Sequence, residues 1–344
     1  MPAAALVSFR LGGPDGVSVV AGQWAWALGQ LGWSVRTVAG SGPVDVVVPG
    51  LAWPAAADPA PGEVADAVAG CDVVIVENLC SLPLHPAAAA AVAVARRSRP
   101  TVLHHYDLPW ERDRYLGSGW SPPDDPAWVH VATSDRAAGA LAERGIAATV
   151  EPLRIDSAWA AAGQRQRTRE VLGVAGRERL LLQPTRALAR KGVADALALA
   201  ATAGATFWLT GPAEEGFEPE LAAILAESPT RILRGADRHG LSMPDAYAAA
   251  DGVVVASSWE GFGLPLLEAA VARRPLAVRR YPVAADLERA HGFAWLAVDD
   301  GPGLRRAMDH PDPAALDRNE SIVRDCFGVH ALPGRLAALL ETVL

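Results

Sequence analysis

Two glutamates eight positions apart bracket a Gly-Phe-Gly turn in the segment Ser257-Ser258-Trp259-Glu260-Gly261-Phe262-Gly263-Leu264-Pro265-Leu266-Leu267-Glu268. The apolar run ending near Ala256 reads as a buried strand, and Pro265 falls where a first helical turn favours proline. The amides around Phe262, Gly263 and Leu264 then point out of a helix N-terminus toward a bound anion. Glu260 lies in the loop, and Glu268 lies about one turn into the helix. Both can face one ligand, with one carboxylate at a sugar and the other accepting from ribose hydroxyls. Trp259 and Phe262 read as packing residues rather than stacking platforms.

A second constellation is Gln183-Pro184-Thr185-Arg186-Ala187-Leu188-Ala189-Arg190-Lys191-Gly192, which follows an expected strand and opens a helix. Two cations there, Arg186 and Lys191, can neutralise charge building on a departing diphosphate, an electrostatic effect that commonly dominates such reactions. Lys191 is the single lysine among 31 basic residues. The arginine abundance reads as compositional bias, and the exception marks a position where a compact ammonium serves better than a planar fork. Arg190 reads as its neighbour, not as part of the site.

Three further segments sit at expected strand ends. Arg10-Leu11-Gly12-Gly13-Pro14-Asp15-Gly16-Val17-Ser18 follows the first strand, and its glycines let the backbone approach a ligand closely. Its spacing is not the Gly-x-Gly-x-x-Gly of a dinucleotide site. Pro100-Thr101-Val102-Leu103-His104-His105-Tyr106-Asp107-Leu108-Pro109-Trp110 closes a strand with groups able to bind hydroxyls or handle a proton. Leu209-Thr210-Gly211-Pro212 forms a strand-end glycine turn, and Asn78 follows a strand in Glu77-Asn78.

These residues need a scaffold that delivers strand ends to one edge. Expected strands are 4–9, 34–38, 44–48, 72–77, 101–104, 128–132 and 147–150 in the first half. In the second half they are 180–183, 206–210, 230–233, 252–256, 276–278 and 293–297. Helices fit 17–31, 63–69, 86–97, 135–144, 192–203, 219–227, 243–250 and 264–273. Such alternation predicts two doubly wound parallel sheets with ligands at the carboxyl edges of the strands. The polar stretch 151–169 reads as the linker, in keeping with two domains in 344 residues.

With 51% hydrophobic and 20% charged residues, a disordered chain is excluded. The net charge of −8, without long runs of one sign, argues against nucleic acid as a partner. Three cysteines, Cys71, Cys80 and Cys326, lack metal-type spacing. No secretory leader is recognised, so a cytoplasmic location is expected. The uncharged stretch 196–213 reads as a helix entering a buried strand, not a membrane span. Arg96, Arg97 and Arg99 on an alanine-rich helix read as a solvated face rather than a peripheral membrane contact.

The segment from Glu260 to Glu268 resembles the Glu-x7-Glu signature of the retaining family-4 glycosyltransferases of GT-B fold. Arg186 with Lys191-Gly192 resembles that family's Arg-x4-Lys-Gly element, and Gly12 to Gly16 its glycine loop over the diphosphate and acceptor cleft. The resemblance implies two facing Rossmann-like domains with a cleft between them. The first would be an acceptor-side domain over 1–155 with a returning helix at 329–344. The second would be a nucleotide-sugar domain over 156–328. It also implies roles for residues. Glu260 would lie beside the donor sugar, Phe262 to Leu264 would contact sugar hydroxyls or phosphate, and Glu268 would hold the ribose. Gly211 would lie beside the nucleotide, while Gly12, Gly13, Asp15, Gly16 and Asn78 would line the acceptor side. The family often places a His-Asp pair after the fifth strand. Anchoring on Asp107 puts Tyr106 at the histidine position, and a shift of one residue makes it His105; the reading taken here is His105, with His104 beside it. The implied reaction uses a UDP- or GDP-sugar as substrate, an acceptor that is a small molecule, glycan or lipid-linked sugar, and neither cofactor nor metal. A nucleotide-sugar 2-epimerase and a non-catalytic nucleotide-sugar binder are the rival readings.

Overall fold

The computed structural model describes every residue except Pro14, together with the backbone but not the side chain of Arg238. The glycine-loop reading at Pro14 therefore lies outside the described residues. The chain divides into two compact units, Met1–Arg154 with Val329–Leu344, and Ile155–Gly328.

The first unit contains β1 (Ala3–Arg10), α1 (Gly16–Gln30), β2 (Ser34–Ser41), β3 (Val46–Val47), α2 (Pro61–Ala67), β4 (Val73–Glu77), α3 (Pro86–Ala95), β5 (Thr101–His105), β6 (Trp128–Ala132), α4 (Asp135–Ala142) and β7 (Ala148–Val150). Its seven strands form one sheet in the order β3-β2-β1-β4-β5-β6-β7, with parallel pairing throughout. A parallel sheet covered on both faces favours continuous apolar strands over alternating ones. Accordingly Ala4 to Val7 in β1 and Val73 to Val76 in β4 are all buried. Such strands carry no period-2 signal, yet their length and β-branched content identify them.

The second unit contains α5 (Arg165–Leu172), β8 (Leu180–Gln183), α6 (Val193–Ala203), β9 (Thr206–Leu209), α7 (Glu218–Glu227), β10 (Ile232–Arg234), α8 (Met243–Ala249), β11 (Gly252–Val255), α9 (Leu264–Val271), β12 (Leu276–Val278), α10 (Pro282–His291), β13 (Leu296–Ala297), α11 (Gly301–Asp309) and α12 (Pro313–Phe327). Its six-stranded sheet runs β10-β9-β8-β11-β12-β13, again parallel. The ends of this unit meet, since Ile155 N donates to Phe327 O at 3.0 Å and Ile155 bridges Gly328. The chain then returns to the first unit as α13 (Leu332–Val343), which packs on α1. Arg335 Nε on this helix donates to Glu151 Oε2 at 2.9 Å.

Several expected boundaries shift. The strand expected at 44–48 shortens to two residues, as does that at 293–297. The expected linker is not irregular throughout, because it contains a short 3-10 helix at Trp159–Ala162 and the first half of α5. The polarity of α5 is structural. Arg165 Nη1 donates to the carbonyls of Ala248, Ala249 and Ala250, and Arg169 Nη1 reaches Ala249 O and Asp251. These bonds satisfy carbonyls that the end of α8 would otherwise leave open. Among the described residues no helix is long and apolar enough to cross a membrane.

Candidate functional site

In the second sheet β8 lies between β9 and β11, so the connections leaving β8 and β11 diverge. A crevice at the carboxyl ends of the strands is expected at such a switch point. The loop after β8 carries Arg186, Arg190 and Lys191, and the loop after β11 carries Ser257 to Gly263. Gln183 Nε2, at the end of β8, donates to Lys191 O at 2.9 Å within the first loop, and Ser258 N ties the second loop to the first by donating to Arg190 O at 2.8 Å.

Glu260 is the centre of this arrangement. Lys191 Nζ and Ser257 Oγ both donate to its Oε1. Arg190 Nη1 reaches its Oε2 at 3.1 Å and the carbonyl of Trp259 at 2.9 Å. The Lys191 and Glu260 side chains are only 9% and 13% exposed, so their charges interact with little screening. Burial works against an ionised Glu260. The Lys191 and Arg190 charges, with hydrogen bonds from Lys191 and Ser257, overcome it and hold the carboxyl at about 2. Burial pulls the Lys191 ammonium down to about 8; Glu260 opposes that pull and the nearby guanidiniums add to it.

Glu268, in α9, has a different environment. Its Oε2 accepts from the buried Tyr247 hydroxyl at 2.7 Å. Burial raises its carboxyl to about 7 against the lowering effect of that one hydrogen bond. Between the two glutamates the chain turns at Gly263, with φ 106°. A Cβ there would lie 2.2 Å from the Tyr281 hydroxyl, which donates to Phe262 O at 2.8 Å. Only glycine fits, and the turn aims the α9 N-terminus at Phe262 to Leu264. Phe262 is buried and meets Phe327 edge-on, a packing role.

Arg186 stands apart from Glu260 and pairs with Glu214. Gly211 is the surface against which the Arg186 backbone packs, since a Cβ there would lie 2.6 Å from Arg186 Cα. The structure thus joins Lys191 to Glu260 and adds three residues to which the sequence gave no role at the site: Arg190, Ser257 and Tyr247. Arg190 was hidden by the arginine-rich composition. Its place beside Lys191 at the end of a basic loop was the available signal.

In the first sheet the corresponding switch point lies between β1 and β4. Gly12 and Gly13 lie in the turn after β1, and Gly16 opens α1. Asp15 caps that helix, accepting from Ser18 N at 3.2 Å and Ser18 Oγ at 2.9 Å. Arg10 Nε lies 3.3 Å from its Oδ2. Asn78 follows β4 with φ 58° and accepts through Oδ1 from Tyr106 N at 3.1 Å and Asp107 N at 3.4 Å. Asp107 pairs with Arg112. His104 and Tyr106 both bond to Glu77 Oε2, at 2.9 Å in each case.

His105 faces the other way. Its ring is buried, with Nδ1 2.7 Å from Ser81 Oγ and Nε2 2.9 Å from His130 Nδ1. Burial first, then the His130 and His104 charges, push it well below its ordinary value, so it is neutral. Strand alternation is the cause, since neighbouring residues of β5 point to opposite faces. With both ring nitrogens engaged inside the unit, His105 has no free atom for a sugar, and its expected catalytic role is not carried forward. Among the described residues no group of three or more His, Cys, Asp or Glu side chains could hold a metal ion.

No family model matches the sequence. The mannosylglucosylglycerate synthase of Petrotoga mobilis is 26% identical over 326 residues, covering 79% of this chain and 75% of its own length. Anabaena Alr3699/HepE, solved in complex with UDP and glucose, superposes with a TM-score of 0.74 at 16% identity. That match covers 99% of this chain and 100% of the other. WaaG, a glycosyltransferase involved in lipopolysaccharide biosynthesis, gives a TM-score of 0.68 at 16% identity, covering 98% and 99%. The chain has the GT-B glycosyltransferase fold.

Proposed function

We propose that this chain is a glycosyltransferase that moves a sugar from a nucleoside-diphosphate donor to an acceptor hydroxyl, with retention and without a metal ion. The observation that carries the reading is the buried pairing of Lys191 and Arg190 with Glu260 across the β8/β11 switch point. The names of similar proteins support it. They are a mannosylglucosylglycerate synthase, a protein complexed with UDP and glucose, and a glycosyltransferase.

In this reading the second unit holds the donor. Glu268 accepts from the ribose hydroxyls, and the α9 N-terminus meets phosphate or sugar oxygens through the amides of Phe262 to Leu264. Lys191 and Arg190 turn from Glu260 toward the diphosphate, and Arg186 adds a further cation. Glu260, released from part of its ion pairing, faces the donor sugar. The acceptor oxygen bonds to the anomeric carbon on the face from which the phosphate oxygen departs. That carbon–oxygen bond to phosphate breaks, and the departing oxygen takes the acceptor's proton. The side-chain cations supply the electrostatic stabilisation that a metal gives elsewhere.

Thermal-shift screening with UDP, GDP and their sugars identifies the donor, because a ligand that binds the folded state raises its apparent stability. Transfer is then assayed in excess EDTA and the product anomer read by NMR. Undiminished transfer with retained configuration is expected. Loss of transfer restored by Mg²⁺ or Mn²⁺ refutes metal independence, and an inverted anomer refutes retention. Conversion of the donor alone to its 2-epimer refutes the transferase reading.

A further inference from the structure

The carboxyl edge of the first sheet contains a buried carboxylate that the sequence pattern did not single out. Glu77 is the last residue of β4, at the switch point between β1 and β4, and is 0% exposed. Its backbone is fixed from β1 by Ser8 Oγ, which donates to Glu77 O at 2.9 Å. One of its oxygens, Oε2, accepts from both His104 Nδ1 and the Tyr106 hydroxyl. The other, Oε1, is buried with no partner among the described residues, and so is His104 Nε2. Trp24 from α1 stacks on His104 with ring centroids 4.4 Å apart, and the Tyr106 ring lies 4.6 Å from the same imidazole.

Burying a carboxylate costs several kcal/mol, roughly, unless its environment is built to receive it. This one bonds to two groups of the strand edge and, among the described residues, pairs with no arginine or lysine. Its bonding fixes hydrogen-bond polarity. Because the Tyr106 proton is given to Glu77, the phenolic oxygen can only accept from anything else that approaches it. Burial and then the Glu77 charge push this phenol well above its ordinary value, so the proton stays in place. Asn78, adjacent in sequence and only 8% exposed, has the opposite polarity. Its Oδ1 is committed to two backbone amides, which fixes the orientation of the side chain. Its Nδ2 donors have no partner among the described residues. An oriented acceptor and an oriented donor on neighbouring strand ends are what a ligand bearing adjacent hydroxyls requires.

We propose that Glu77 is a positioning residue of a sugar-hydroxyl subsite in the first unit, holding the Tyr106 phenol as an acceptor at the strand edge that also carries the Asn78 amide. The proposal rests on the transferase reading for its ligand class, a polyhydroxylated sugar. It does not depend on the nucleotide site for its geometry. Glu77→Gln would reverse the arrangement, because an amide can donate to the phenolic oxygen and leave the phenol proton outward.

The test uses the full chain labelled with 3-fluorotyrosine, whose four tyrosines give few signals; the Tyr106 signal is assigned by its loss in Tyr106→Phe. D-glucose and glucosylglycerate are titrated as probes, and UDP and GDP are titrated separately. In wild type the Tyr106 signal should move on sugar addition. Glu77→Gln and Tyr106→Phe should each weaken sugar binding roughly tenfold, the loss expected for one hydrogen bond at about 1.4 kcal/mol. Their combination should be no worse than either alone, since both remove the same oriented acceptor. Nucleotide affinity should be unchanged in all three, which a general loss of fold would not allow. A wild-type signal indifferent to both sugars overturns the proposal. So does wild-type sugar affinity in Glu77→Gln, or multiplicative losses in the double variant. If instead neither UDP nor GDP binds wild type, the transferase reading fails whatever the sugars do.

Discussion

The two sheets place different chemistry at equivalent positions. At the β8/β11 edge the site is ionic, with Lys191 and Arg190 held against Glu260. At the β1/β4 edge it is a relay of hydrogen bonds in which Glu77 orients an imidazole and a phenol. Opposite charges drawn close in a poorly hydrated crevice suit a ligand that is itself multiply charged, because a diphosphate can replace one anion with another. Oriented hydrogen-bonding groups suit hydroxyls, which offer little charge and are distinguished by geometry. One architecture therefore presents two kinds of strand-end chemistry, set by which side chains end the strands.

Removing charge from the ionic edge should have the largest effect. Lys191→Ala is expected to lower turnover roughly a hundredfold to a thousandfold, the range seen when one transition-state donor is deleted. Lys191→Arg should still cost at least about tenfold, since a second planar fork beside a diphosphate does not reproduce a compact ammonium. Initial rates at saturating donor read both. Full activity in Lys191→Arg would reduce the ionic edge to bulk charge.

Glu260→Gln should cut turnover by about a hundredfold while leaving free UDP or GDP affinity within about threefold. Equal losses in the two measurements would contradict its place at the sugar.

Glu268 offers a pH test. Its folded-state value, about 7, lies above the ordinary 4.5. The protonated form is thus favoured by folding, and its contribution is complete below about 4.5 and lost as pH rises through about 7. At pH 8 Glu268→Gln should accordingly be more stable than wild type, by about 3 kcal/mol, with the difference vanishing below about pH 4.5. Denaturant melts at both pH values measure this. Over the same range wild-type nucleotide affinity should rise as pH passes about 7, because an ionised carboxylate accepts from ribose, and Glu268→Gln should lose that dependence.

The smallest effect is expected at Arg190. Arg190→Lys keeps one charge on a shorter side chain without the planar fork, so turnover should fall by roughly threefold. An unchanged rate would make Arg190 a bystander to the Lys191–Glu260 pair.

Much of this site was legible because its signals are local. Gly263, Pro265 and the two glutamates fall in one short segment, and the strand before them is a plain apolar run. Lys191 stood out by composition. What escaped depends on contacts distant in sequence. Glu77 closes Val-Val-Ile-Val-Glu, which reads as a strand meeting solvent, until β5 brings His104 and Tyr106 against it. Tyr247 gains its role only when α8 packs beside α9. The first half of α5 reads as linker in the sequence because its arginines bond to carbonyls some 80 residues away, from Arg165 to Ala248 and beyond. The choice between His105 and Tyr106 turned on strand phase, which a loop boundary uncertain by one residue cannot fix. The helices α11 and α12 have clear caps at Asp300 and Asp312, yet short apolar stripes there gave no pattern strong enough to assign them.

The pairing of Ile155 with Gly328 has a consequence for how this chain can be taken apart. The second unit is a guest in the first: it is one continuous stretch whose two ends lie side by side, whereas its host is interrupted and completed only by α13. Cutting the gene at a single point therefore cannot yield both halves intact, because any N-terminal fragment loses the helix that α1 packs against. Excision is expected to: the paired ends predict that residues 155–328 fold when expressed alone and that the host can be rejoined through a short bridge from Arg154 to Val329, as neighbouring termini permit in domain insertions. Each recognition edge could then be assayed with its counterpart absent.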